Sequence, residues 1–219
     1  MSPWGISVIR QAQHELALQQ AITFGISMNK CVSTLSAFEM ADYLLRDAAE
    51  DAQALIVAAD IAFTPALRFI PNTTIAGDAA AVALVGKKGN RNKLLSVVAN
   101  TYGEYSKGVW MTAAEIAQFE KSYLSLLAET IQQALRKADI TLNDITMIFP
   151  HNVNIPSWEK LAKQLSIAKE KIYLHNVKHF AHCFGADELI TYLCAQCAGL
   201  LQTGDHFLFA TPGLGAPFP

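Results

Sequence analysis

Cys31 stands where an apolar run at 21–27 gives way to MNKCVSTLSAFEMADYLLRDA, a segment with helical spacing. A thiol at a helix N-terminus lies in the field of the helix dipole, beside backbone N–H groups without helical partners, and both favour the thiolate. That is what a cysteine nucleophile needs. The alternative is a buried structural cysteine, since free cysteine is among the most buried residue types. A second pair, Cys194 and Cys197 in CAQC, has the spacing of a metal or redox motif. It lies in an apolar helical segment with no second pair to complete a site and only Cys183 nearby, so no metal is expected. His175, His179 and His206 share no recurring spacing with it and read as structural or surface residues.

The elements that must position Cys31 follow from apolar periodicity. The spacing predicts a helix over 6–20, a short strand at 21–27, and a helix from Cys31 in which Val32, Leu35, Phe38, Met40, Ala41 and Leu44 recur. ALIVAAD (54–60) and AAAVALV (79–85) read as buried strands separated by a loop. A new unit begins near LLSVVANTY (94–102), then a long amphipathic helix over 113–138, a strand at 145–152 and a helix over 156–165. KIYLHNV (171–177) is strand-like, 183–201 a helix, and HFLFATPGLG (206–215) a strand running into a glycine loop. The order of strand, helix beside a Cys or His, turn and strand occurs twice, so two copies of one α/β unit are expected. The units divide at 1–92 and 93–219, with layered sheets covered by helices.

With 219 residues, 52% of them hydrophobic and 16% charged, the chain can bury a core. Its formal charge of -2 is near balance and its lysines and arginines are scattered or paired with acids, which speaks against a nucleic-acid partner. No apolar run approaches the roughly 20 residues that span a bilayer. Four irregularly placed cysteines and no secretory leader point to a cytoplasmic protein.

The segment after Cys31, C-V-S-T-L-S-A-F-E-M-A, resembles the nucleophile helix of ketoacyl synthase III enzymes. IAGDAAAVALV (75–85) resembles that family's F-G-D-G-A-G-A-V-V-L strand, and PHNVNIPSWEKLAKQLSI (150–167) its P-H-Q-A-N segment with the following helix. NVKHFAHCFGAD (176–187) takes the place of its G-N-T-S-A-A segment, and ATPGLGAP (210–217) that of its terminal glycine loop. Five motifs stand in the family's order over almost the whole chain.

The resemblance implies an α/β, thiolase-like fold with α/β/α/β/α layers, truncated at its N-terminus. It implies Cys31 as the acyl-accepting nucleophile and His151 as the active-site histidine, donating to a thioester oxygen or acting as a base. Where the family has asparagine this chain has His182, giving a Cys-His-His set like that of the elongating ketoacyl synthases. The surrounding H-C-F-G-A-D also resembles divergent members that move an acyl group onto oxygen or nitrogen. Asp187 either orients an imidazole or serves its helix's first turn. Gly213 and Gly215 match the terminal glycines, where a backbone N–H joins that of Cys31 in an oxyanion hole; the other reading is an ordinary turn.

The implied substrate is an acyl group on coenzyme A or on the phosphopantetheine of an acyl carrier protein, with no tightly bound cofactor. Only about thirty residues precede Cys31, so the chain is expected to be a naturally short protein or a fragment. A second polypeptide is expected to supply the N-terminal part of the fold, in an oligomer. The competing expectation is a non-catalytic subunit that completes or regulates a catalytic partner.

Overall fold

The computed structural model describes residues 7–27, 29–70, 74–213 and 217–218. In chain order the elements are α1 (Val8–Glu15), α2 (Ser33–Arg46), β1 (Gln53–Asp60), α3 (Pro65–Arg68), β2 (Phe69–Ile70), β3 (Thr74–Ile75) and β4 (Ala79–Gly86). They continue with β5 (Asn100–Thr101), α4 (Ala113–Lys137), β6 (Ile145–Pro150), α5 (Ile155–Gln164), α6 (Val177–Phe180), α7 (Asp187–Cys197), β7 (His206–Ala210) and β8 (Pro217–Phe218).

Two strand pairs organise the chain. β6 and β7 run parallel, as a strand–helix–strand crossover requires, and β1 and β4 run antiparallel, from Gln53 opposite Gly86 to Asp60 opposite Ala79. On one side of β6–β7 lie α4 and α5, joined through a core of Leu127, Ile131, Ile145, Ile148, Trp158 and Leu161. α4 can run for 25 residues because a capping box starts it: Glu115 N donates to Thr112 Oγ1, and Glu115 Oε2 accepts from Thr112 N at 2.7 Å. On the other side lies α7, which also packs against β4. Small residues, Ala58, Ala81, Cys183 and Ala186, let that central layer approach closely. α2 covers β1 beside it.

The layers therefore run α/β/α/β, and the last sheet face is bare among the described residues. Leu55 opposes Leu84 and Val57 opposes Val82 on that face, and all four side chains are more than half exposed.

Several elements depart from the periodicity. Residues 21–27 form no strand, because no neighbouring strand is there to pair with and Ile22 and Phe24 are exposed. The 61–78 loop carries α3 and the β2–β3 pair. In 171–177 only Ile172 reaches the sheet, bridging Ile148, since a 3-10 turn at Lys169–Lys171 precedes it and α6 follows. The helix expected over 183–201 is a 3-10 turn at Phe184–Ala186 followed by α7, which ends before Gly199 at φ +71°.

The sharpest backbone feature is Ala181, at φ 58° and ψ -156°, a region open essentially to glycine. Ala181→Gly is expected to raise the melting temperature, since relieving about 1–3 kcal/mol of strain outweighs roughly 0.5–1 kcal/mol of added chain entropy. Thermal unfolding checks it, and an unchanged or lower midpoint refutes it.

Candidate active site

Cys31 sits in a 3-10 turn, Lys30–Val32, that leads directly into α2, and is itself partly buried. Lys30 before it has φ 56°, so the chain turns sharply to present the thiol. The helix start predicted from the sequence is thus present, without the strand expected before it.

His182 is delivered by a different device. Its N–H donates to Ile75 O at 2.9 Å and its carbonyl accepts from Gly77 N at 2.8 Å, so it is stitched to the segment before β4. A Cβ on Gly77 would lie 2.7 Å from Phe180 O, which is why this close approach needs glycine. Gly185 does the same on the other side: a Cβ there would meet Thr34 Oγ1 at 2.5 Å, so the turn before α7 touches the Cys31 helix only as glycine.

The side chains converge. His182 Nε2 lies 3.3 Å from Cys31 Sγ, and His182 Nδ1 lies 2.6 Å from Asp187 Oδ2. Asp187 is fully buried, and its carboxylate accepts further hydrogen bonds from Asn152 N at 2.7 Å, Asn152 Nδ2 at 3.3 Å and Cys183 N at 2.6 Å. Four donors hold one carboxylate. Asp187 is the first residue of α7, and its carboxylate meets the imidazole of His182.

Burial opposes charge on His182, but the Asp187 and Cys31 hydrogen bonds, with the charges of both groups, outweigh it and push its pKa up to about 10. His151 follows β6 and is buried against Trp158, ring centroids 5.4 Å apart, and against His182 at 5.7 Å. Burial, then the neighbouring charge of His182, holds its pKa well below the usual histidine value, so it is a neutral imidazole. The two histidines that sequence alone leaves equivalent therefore differ in charge.

The raised pKa of His182 has a consequence for stability. A proton bound more tightly in the folded state stabilises it fully below the unfolded pKa of about 6.5. That contribution is lost as pH rises through the folded value of about 10. The melting temperature is expected to fall between pH 7 and 10, and His182→Gln is expected to flatten that slope; parallel slopes in the two proteins would contradict it.

Gly213 is buried in the loop after β7, three residues past Ala210, whose carbonyl accepts from His151 N at 3.3 Å. Gly215 lies outside the described residues. Cys194 and Cys197 are free thiols on α7, the latter exposed. His175 and His179 stack on each other at 4.7 Å, and neither they nor His206 joins the cluster around Cys31. Sequence reasoning passed over Asn152, although it directly follows His151 in the P-H-N-V-N motif. It also passed over Glu188, which stands out only because a helix interior buries it.

This arrangement is a cysteine, an imidazole and a buried carboxylate in series, the constellation that activates a thiol by accepting its proton. No described helix is long and apolar enough to cross a membrane.

Comparison with known proteins follows the same lines. The family model described as 3-oxoacyl-[acyl-carrier-protein] synthase III, C terminal, matches residues 135–218. The chain is 29% identical over 110 residues to beta-ketoacyl-[acyl-carrier-protein] synthase III of Clostridium tetani, covering 50% of this chain and 32% of that one. Over 165 residues it is 27% identical to the enzyme of the same name from Fusobacterium nucleatum, covering 65% and 49%. The chain spans about a third to a half of the length of the first curated relatives it matches. Its fold superposes on the acyltransferase ChlB3 with a TM-score of 0.89 at 22% identity, over 100% of this chain and 72% of that one. The motifs read from the sequence, the layered fold and the relatives coincide: the chain is similar to ketoacyl synthase III in its C-terminal part and shares the fold of those enzymes.

Proposed function

We propose that the chain is an acyltransferase that holds an acyl group as a thioester on Cys31 and passes it to an oxygen or nitrogen nucleophile. The observation that carries this reading is the Cys31–His182–Asp187 series, 3.3 Å and 2.6 Å between its polar atoms. Cys31 Sγ, its proton held by His182 Nε2 as the raised pKa of that ring favours, attacks the thioester carbonyl of an acyl-CoA or acyl carrier protein. The carbon–sulfur bond to the donor breaks, and the departing thiolate takes the proton from His182. In the second half, a hydroxyl or amine gives its proton to the same nitrogen, attacks the acyl-cysteine and releases the thiol.

Asp187 keeps the Nδ1 proton in place and stabilises the imidazolium in both halves. Neutral His151 is suited to donating to the thioester oxygen, and the backbone N–H groups of Cys31 and Gly213 to an oxyanion hole. The acyl group arrives on its own pantetheine, so no tightly bound cofactor is required. Condensation onto carbon is the second reading, favoured by the packing of His151 against His182 at 5.7 Å. A carboxylate-held base is unnecessary where loss of carbon dioxide generates the carbanion, which is why transfer to oxygen or nitrogen is preferred.

The reading extends to partners. An apolar sheet face formed by Leu55, Val57, Val82 and Leu84 is a liability in water and suits a covering polypeptide within an oligomer. A well-folded monomer in sedimentation of the chain alone would oppose that. Four free thiols are in keeping with a cytoplasmic site of action.

Intact mass spectrometry tests the function. The protein is exposed to a panel of acyl-CoA and acyl carrier thioesters, with Cys31→Ala as control. An acyl-sized gain that the control lacks supports the enzyme, and no gain with any donor in a folded sample favours the non-catalytic subunit.

A further inference from the structure

Glu188 follows Asp187 in the first turn of α7, and its side chain is fully buried, with neither carboxyl oxygen hydrogen-bonded among the described residues. Glutamate is almost never so placed unless paired. Two buried hydroxyls share its predicament. Thr211 follows β7 and Thr191 stands one helical turn further along α7, and neither has a partner among the described residues. Thr211 lies beside the Glu188 carboxyl and acts on it, although short of good hydrogen-bond alignment. Thr211 is also the residue through which β7 enters the loop of Gly213, and its neighbour Ala210 accepts the His151 N–H. The ionisable groups that act on Glu188 are Asp187 and His182, two members of the triad.

Such a group costs stability. Leucine at this position would fill similar space on a helix whose neighbours, Leu189 and Ala186, are apolar core, and it would leave no polar atom to satisfy. A carboxyl retained there, adjoining the triad's own carboxylate, calls for a role in the site.

We propose that Glu188 is a positioning residue for acyl transfer: its carboxyl braces Thr211, and with it the loop leading to Gly213, and keeps a second negative charge away from His182. The inference rests on the acyl-transfer reading of the same site. Thr211 Oγ1–H is aimed at the carboxyl, which while protonated leaves Asp187 as the one carboxylate acting on the imidazole. Burial, followed by the charge of Asp187, pushes the Glu188 pKa up to about 8, so this neutral form prevails at pH 7. Above that value Glu188 becomes an anion, and the added charge opposes formation of the Cys31 thiolate.

The test has two arms. The first follows alkylation of Cys31 by iodoacetamide from pH 5 to 10, read by peptide mass spectrometry, which needs no substrate. The wild-type rate profile is expected to show an inflection near pH 8 that Glu188→Gln lacks and Thr211→Val moves upward. The second follows release of the acyl group from acyl-Cys31 to an amine acceptor at pH 7. Glu188→Leu is expected to slow it about tenfold, the equivalent of about 1.4 kcal/mol, while Glu188→Gln, which keeps a carbonyl oxygen facing Thr211, restores most of the rate.

Superimposable alkylation profiles in wild type and Glu188→Gln overturn the proposal, even if Glu188→Leu does not fold. If no acyl-Cys31 forms but the inflection is present and lost in Glu188→Gln, the acyl-transfer reading fails and the charge relation of Glu188 to the site stands.

Discussion

Replacing Asp187 by Asn is expected to lower the rate of Cys31 acylation by roughly 10³–10⁴, the scale seen when the carboxylate of such a triad becomes an amide. The reason is a proton inventory. His182 Nδ1 faces Asp187 Oδ2 at 2.6 Å and carries one hydrogen, so Nε2 is the nitrogen that holds the proton drawn from Cys31. An asparagine presenting its amide NH₂ to Nδ1 forces the proton onto Nε2, the nitrogen that should receive one. The same substitution upsets the Asn152 and Cys183 N–H donors that Asp187 satisfies.

Breaking a buried ion pair on one side costs roughly 3–5 kcal/mol, so the variant should also melt earlier. Stopped-flow acylation followed by mass separates the two effects when run well below the variant's midpoint. A rate within threefold of wild type would show that Asp187 serves the helix alone.

The second large effect concerns Trp158. It is 1% exposed on α5, packed in the core with Leu127, Ile131 and Ile148, and its ring edge meets His151. Trp158→Ala is expected to cost roughly 3–5 kcal/mol, a large part of the 5–15 kcal/mol that holds a typical domain together. Trp158→Phe should cost far less, because Nε1 makes no hydrogen bond among the described residues and an aromatic edge against His151 remains. Chemical denaturation of both variants checks this, and an equal loss in both would assign the role to the indole nitrogen rather than to ring volume.

Much of this architecture was legible in the sequence because it rests on local pattern. The nucleophile helix, the long helix ending at Lys137, β1, β4 and β6 all follow from runs whose periodicity matches the side that each buries. The failures are equally physical. Residues 21–27 and 171–177 have strand composition, but a strand exists only where another offers a ladder, and pairing partners are not encoded locally.

For the candidate site, motif order singles out Cys31, His151 and His182, which the fold brings together, whereas the different surroundings of the two histidines are not legible in it. That difference depends on which ring meets a carboxylate, and Asp187 reaches His182 because α7 begins five residues later along the chain. Asn152 stood unread inside the P-H-N-V-N motif, and Glu188 had no sequence signal of its own, since it stands out only by its burial.

The two hydrogen bonds that tie His182 to residues 75–77 have a bearing on how the protein loses competence. Neither bond belongs to a long strand, so this tether can open without melting the β6–β7 core. Amide exchange at His182 and Gly77 should therefore report a low-energy local opening. Mild warming or denaturant would then disarm Cys31 while circular dichroism still registers an intact fold, so inactivation should precede unfolding, and substrates that grip the site should close that gap.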